Sequence, residues 1–345
     1  MISITKNIGL NKLLDEIHSF PMSLDISVTK YNTGKLIGIL QEKEVIDICK
    51  VTKEDFDYAN SIDLELGGVI NKLFKEKDHS NAYSDYLALE KKIESTTTGN
   101  LFLYIKQGAL SVKALYHYKN GEYEYAKNLT LECIVLNEYL IEQGIGTLNL
   151  RCFEQNKNIS RILLRANKTE EGHDLLNNLL TYLLSGKEKN LFGNLFKDKN
   201  YWNKVPILRE TYAYELFPMI AEDMIRFNIQ DKLNYLPNEW YLNLDFDVNT
   251  SERQIIYNWI YINNQLQKGD YDEYIDSLIY FFQQPMSLFY DVLKISLLID
   301  LVKVIKKEYF VDAEVTINKL KDYLFNKLIY NLKFRELVSK NLFQL

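Results

Sequence analysis

KNGEYEYA, residues 119–126, separates two stretches in which apolar residues recur every three or four positions. That recurrence is the helical period, because side chains three and four apart share one face. A helix running from about Thr97 to Asn120 ends where Gly121 supplies the left-handed backbone of a helix stop. The next helix carries Ala126, Leu129, Cys133, Leu136 and Leu140 in one stripe. Helices of this length are held mainly by burying such a stripe, so the two are expected to fold back on each other as a hairpin. The same punctuation returns in ANKTEEG (166–172), KGDYDEY (268–274) and KEYFVDA (307–313). A turn residue comes first, an aromatic often follows, and a stripe such as Leu176, Leu179 and Leu183 begins after it.

Outside these hairpins the signals are uneven. Thr52 and Asp55 have the spacing of a capping box, with Asp in place of the usual Glu, and open a helix to about Lys77. Ser80 opens another to about Glu94. Residues 4–19 and 33–49 read as helix, while 21–32 stay open because Ile26, Val28 and Thr29 are β-branched. Helix 146–166 precedes the Asn167 turn. Helix 207–228 contains Pro218, which removes one backbone hydrogen bond and should kink it. Residues 187–205 have no period. Residues 231–250, with Pro237, form a linker that is either a hinge or an ordered loop under Trp240, and Thr250 or Ser251 caps the helix after it.

The chain has 345 residues, 47% of them hydrophobic, with only 14 Gly and 5 Pro. That is too few breakers for the many short turns of an all-β fold. The expected class is all-α, a solenoid-like stack of antiparallel helical hairpins, with residues 1–95 as an N-terminal helical region and 96–345 as the repeat region. A net charge of −6 argues against broad attraction to phosphate backbones, so no nucleic-acid partner is expected. The most apolar stretch, 286–305, holds Asp291, Lys294 and Asp300, which suits a buried helix better than a membrane span. Cys49, Cys133 and Cys152 stand far apart with no CxxC pair, as buried thiols of a reducing compartment do. With no apolar run and cleavage site near the start, the cytoplasm is the expected location.

The hairpin strings resemble the tetratricopeptide repeat, whose second helix begins with an aromatic and then a small residue. The small residue lets the paired helices approach closely. Ala126, Gly172 and Ala313 fit that position, while Tyr274 is large there and Thr169 replaces the aromatic. Inside the first helices, Ala114 and Ser160 are small, but Ile262 and Leu301 are not. The aligned positions are unevenly spaced rather than about 34 residues apart. The resemblance covers roughly residues 97–330 and implies a diverged array, with residues 1–95 as a cap or extra hairpins. An irregular bundle whose turns happen to carry glycine and tyrosine is the competing reading.

Enzyme signatures fail by inspection. There is no GxGxxG, Walker A or GxSxG string, and His18, His79, His117 and His173 form no HxxxH pair. His117 reads as a packed inter-helix residue, and His173 beside Asp174 as a solvated pair. DFDVNTSERQII (245–256) begins like a calcium loop but has Thr250 and Ile256 where an EF-hand needs glycine and glutamate. No catalytic residue, metal or cofactor is expected.

One surface stands out. Seven arginines face thirty-four lysines in the chain, yet Arg151, Arg161 and Arg165 share helix 146–166. Lys157, Arg161 and Arg165 are four apart and form one stripe, with Asn158 beside it. The resemblance puts this stripe on the first-helix face that in tetratricopeptide proteins binds extended peptides, often through acidic side chains or a C-terminal carboxylate. A guanidinium suits that task because its planar fork donates two parallel hydrogen bonds. On the third hairpin the equivalent face offers Trp259, Asn263 and Gln267, an aromatic platform with amides. The plainer reading is a solvated helix face paired with Glu154 or the acidic residues 170–174. The function expected is therefore non-enzymatic binding of a protein or peptide segment, or else a ligand- or peptide-sensing regulator on the same scaffold.

Overall fold

The computed structural model describes residues 10–22, 28–75, 79–96, 98–185, 190–194, 206–226, 251–308, 313–328 and 332–343. The protein is all-α, and no β-strand occurs among the described residues. Residues 10–16 are helical and run into a 3-10 turn, Ile17–Ser19. Then come α1 (Val28–Cys49), α2 (Lys53–Lys75), α3 (Ser80–Thr96), α4 (Gly99–Lys119), α5 (Tyr123–Glu142), α6 (Leu148–Arg165) and α7 (Thr169–Ser185). They are followed by α8 (Pro206–Arg226), α9 (Ser251–Lys268), α10 (Tyr271–Gln283), α11 (Asp291–Glu308), α12 (Ala313–Asn326) and α13 (Leu332–Phe343).

The expected punctuation is physical. Gly121, Asn167 and Gly269 all take positive φ, at 80°, 61° and 73°. After each, the next backbone N–H bonds a carbonyl five residues back: Glu122 to His117 (2.9 Å), Lys168 to Leu163 (2.9 Å) and Asp270 to Gln265 (3.1 Å). A left-handed residue that turns the chain so that this bond closes is how a helix satisfies its last orphan carbonyls. Lys50 and Gly144 end α1 and α5 in the same way, through Val51 to Ile46 and Ile145 to Leu140. The turn of the fourth hairpin, 309–312, lies outside the described residues, as does the 231–250 linker. The Thr52–Asp55 box is reciprocal: the Thr52 N–H donates to Asp55 Oδ2 (2.9 Å) and the Asp55 N–H to Thr52 Oγ1 (3.2 Å). Residues 28–32, left open by sequence, are helical, since β-branching lowers helix propensity only slightly. Pro218 sits inside α8 without ending it.

The chain divides into two compact units, residues 29–210 and residues 1–28 together with 211–345. The boundary expected at residue 95/96 falls inside the first of these, where α3 and α4 pack on each other.

In the 29–210 unit the hairpins α2/α3, α4/α5 and α6/α7 follow one another with sequential packing. Lys72 pairs with Asp85 and Lys92 with Glu65, so α2 and α3 run antiparallel. Their core joins Ile62, Leu66 and Val69 to Tyr86, Leu89, Ile105 and Ala109, with Val45 of α1 included. Ser111 on α4 receives a hydrogen bond from Gln155 of α6 (2.8 Å), and Tyr118 one from Arg165 (3.3 Å). The two contacts advance together along both helices, so α4 and α6 point the same way. Ile134 of α5 joins Ile159 and Leu163 of α6 and Leu175 of α7 in one apolar cluster. Asn156, fully buried, grips the segment after α7 by donating to the Phe192 carbonyl and accepting from its N–H. Cys133 and Cys152 are free buried thiols, and burial pushes the Cys133 thiol up to about 12.

In the second unit, α9 and α10 form a hairpin, and α11 lies under it. Residues 291–300 of α11 are all buried, including Asp291, Lys294 and Asp300. Lys294 donates to the carbonyls of Phe282 (3.4 Å) and Gln284 (3.2 Å) at the end of α10. Burial, opposed by Asp291, lowers its ammonium to about 8. Phe20, just after the N-terminal 3-10 turn, stacks on Phe282 and meets Tyr323 of α12 edge-on. Among the described residues no helix is long and apolar enough to cross a membrane.

Candidate functional site

The small position of the α6/α7 hairpin is the point from which the basic stripe is set. Ser160 Oγ donates to the Gly172 carbonyl at 2.8 Å, and a Cβ at Gly172 would stand 2.9 Å from Leu164 Cγ and 3.1 Å from the Ser160 carbonyl oxygen. This close approach fixes the rotation of α6. Ile159, Ile162, Leu163 and Leu164 point into the core, Arg161 is half-buried at its edge with Nε out of solvent, and Arg165 is exposed.

The four stripe residues do not behave alike. Lys157 is largely covered and pairs with Glu154 at 2.7 Å, one helical turn away. It is therefore a neutralised cation, in keeping with the plainer reading of the stripe. Asn158 is half-buried and donates weakly to Gln155 Oε1 (3.4 Å), whose own amide reaches Ser111 on α4. Arg161 is half-buried, and Arg165 is exposed with its Nε directed to the Tyr118 hydroxyl. Together they leave a face shared by α4 and α6, with a hydrogen-bonded floor of Ser111, Gln155 and Asn158 and two guanidinium groups.

The expected platform on the third hairpin is corrected. Trp259 is completely buried and donates its indole N–H to Ser296 Oγ of α11 at 2.9 Å, with Phe217 of α8 edge-on to it. Asn263 is buried too, its amide bonded to the Trp259 carbonyl at 2.7 Å, and Gln267 alone of the three is exposed. These residues form no common surface. The stripe alignment placed Trp259 on a first-helix face, but it could not show that α11 covers that face. The aperiodic stretch 187–205 and the calcium-like start at 245–250 fall largely or wholly outside the described residues.

The histidines offer no paired chemistry. His117 sits edge-on among Tyr83, Tyr116 and Tyr125, with Nδ1 facing Glu122 at the α4–α5 turn. His173, expected as a solvated pair with Asp174, is instead buried, and desolvation lowers its imidazole to about 4 against a smaller opposing effect of Asp174. Its ordinary value is 6.5, so between pH 6.5 and 4 the unfolded chain takes up a proton that the folded chain refuses. Stability is then lost as pH falls through that window, by on the order of 2 kcal/mol. Urea unfolding of wild type and His173→Leu across pH 7 to 4 checks this. The wild type should weaken more steeply, and parallel curves would exclude His173 as the cause. Among the described residues no cluster of His, Cys, Asp and Glu could hold a metal ion.

An open groove lies elsewhere, between α9 and α10, with a volume of about 410 Å³ and a wall of Tyr257, Tyr261 and Tyr280. The sequence reading singled out none of these three tyrosines, because aromatic spacing alone does not show which rings reach the surface. Their alternate exposure was the missing signal, with Tyr257 and Tyr280 exposed and Tyr274 fully buried. Set against protein-family models, curated proteins and solved structures, the chain matches none, and its activity has to be argued from its own residues.

Proposed function

We propose that this protein is a non-enzymatic interaction scaffold of diverged tetratricopeptide-like build, which binds a peptide segment on the shared α4/α6 face. Arg161 and Arg165 are the residues that clamp an acidic side chain or a C-terminal carboxylate, and Asn158 supplies an amide beside them. The observation that carries this reading is the parallel placement of α4 and α6, tied by Gln155–Ser111 and Arg165–Tyr118. Neighbouring first helices that run the same way offer an extended peptide a continuous row of polar groups. Lys157 takes no part, because Glu154 engages it.

The test uses a fluorescein-labelled acidic peptide with a free C-terminal carboxylate, its amidated form and a neutral control. The Arg161→Glu/Arg165→Glu protein should bind the acidic peptide at least about tenfold more weakly than wild type, since two charge-assisted donors are replaced by repulsive carboxylates. Its helical circular dichroism should be unchanged, because neither side chain belongs to the apolar core of α6, Arg165 being exposed and Arg161 half-buried. Equal affinity of the two proteins for the acidic peptide would end the proposal.

A further inference from the structure

The α9/α10 groove carries chemistry opposite to that of the α6 stripe. Two carboxylates, Glu273 and Asp276, stand on its α10 side with Tyr280, and Tyr257 and Tyr261 line the α9 side. The rings of Tyr257 and Tyr261 lie nearly parallel, 13° apart, with centroids at 6.5 Å. Glu273 is oriented rather than loose: its Oε1 accepts from the Tyr261 hydroxyl (3.0 Å) and from Ser277 Oγ (3.2 Å). Both bonds fall on Oε1, and the residue itself is exposed. Among the described residues neither Glu273 nor Asp276 has a cationic partner. Asn258, at the floor, accepts from Gln254 through Oδ1 (2.8 Å), while its buried Nδ2 donates to nothing.

Aromatic faces attract cations through the ring quadrupole, and carboxylates attract them through charge. A guanidinium uses both at once, since its plane stacks on a ring while its edge forks to a carboxylate. The volume is in the range of small binding clefts, large enough for one long side chain and part of its backbone. The geometry points to this groove as a docking site for an arginine-bearing segment of a protein partner, with the guanidinium against the tyrosines and paired to Glu273 and Asp276. No residue of the α6 stripe is involved, so loss of the carboxylate reading leaves this one standing.

The probe is a fluorescein-labelled peptide with three arginines spaced by glycines, compared with its lysine and glutamine counterparts by fluorescence anisotropy. The wild type should bind arginine more tightly than lysine and lysine more tightly than glutamine. Asp276→Asn and Tyr280→Leu are chosen because both side chains face the groove rather than the core. Each should weaken the arginine peptide about fivefold, with circular dichroism unchanged. The leucine keeps apolar bulk and removes the ring quadrupole, so its effect separates stacking from simple contact. If both variants hold the arginine peptide as tightly as wild type, binding comes from the diffuse net charge of −6 and the proposal fails. It fails equally if wild type does not distinguish arginine from glutamine.

Discussion

Trp259→Ala is expected to destabilise the unit formed by residues 1–28 and 211–345 by ~3–5 kcal/mol, the usual range for deleting a fully buried aromatic. The side chain is completely buried, packs edge-on to Phe217 and donates to Ser296 Oγ. Truncation therefore opens a cavity where α8, α9 and α11 meet. It also leaves the Ser296 hydroxyl, which itself donates to the Leu293 carbonyl, without its donor. Hydrogen exchange read peptide by peptide is the suitable measurement, because it localises the loss. Faster exchange should spread through 251–268 and 291–308 while 99–165 keeps its protection. A variant with native protection in α9 and α11 would mean that Trp259 does not hold these helices together.

Gly172→Val should cost about 3 kcal/mol, the upper end of overpacking penalties. Most helical glycines can accept a methyl group at a gain in helix propensity. Here the added Cβ would meet Leu164 Cγ at 2.9 Å and the Ser160 carbonyl oxygen at 3.1 Å. The second contact is backbone, which cannot swing aside, so α6 and α7 must move apart. Gly121→Ala is the informative control. Its Cβ would find open space, but φ is 80°, so it should lose only ~1 kcal/mol through left-handed strain. Thermal unfolding of the two variants ranks the penalties, and a Gly121→Ala loss exceeding that of Gly172→Val would overturn the close-approach argument.

Those two glycines mark how far the sequence could be read. Gly121, Asn167 and Gly269 announce helix ends because a left-handed turn is a local requirement, met by a few residue types. The Thr52–Asp55 box is local for the same reason. Gly172 and Ser160 were legible as a close pair through the hairpin pattern, and the 2.8 Å bond between them bears that out. Trp259 was not, since a helical stripe says that a face is covered and never by what. His173 failed in the same way: a polar side chain at a helix start looks solvated until its neighbours are in place. The basic stripe divides for a comparable reason. Lys157 shares its spacing with Arg161 and Arg165, but Glu154 lies within reach of the lysine. The division into units was beyond any local signal, because Phe20 finds Phe282 and Tyr323 across most of the chain.

That last pairing sets an order on biosynthesis. Residues 29–210 are contiguous, so this body has all its parts as soon as they leave the ribosome. The other body is discontinuous: Ile17 and Phe20 leave the ribosome well before α10 and α12, the helices against which their segment packs, have been translated. For most of translation those apolar side chains have no native cover, and unsheltered apolar surface on a growing chain invites chaperones and aggregation.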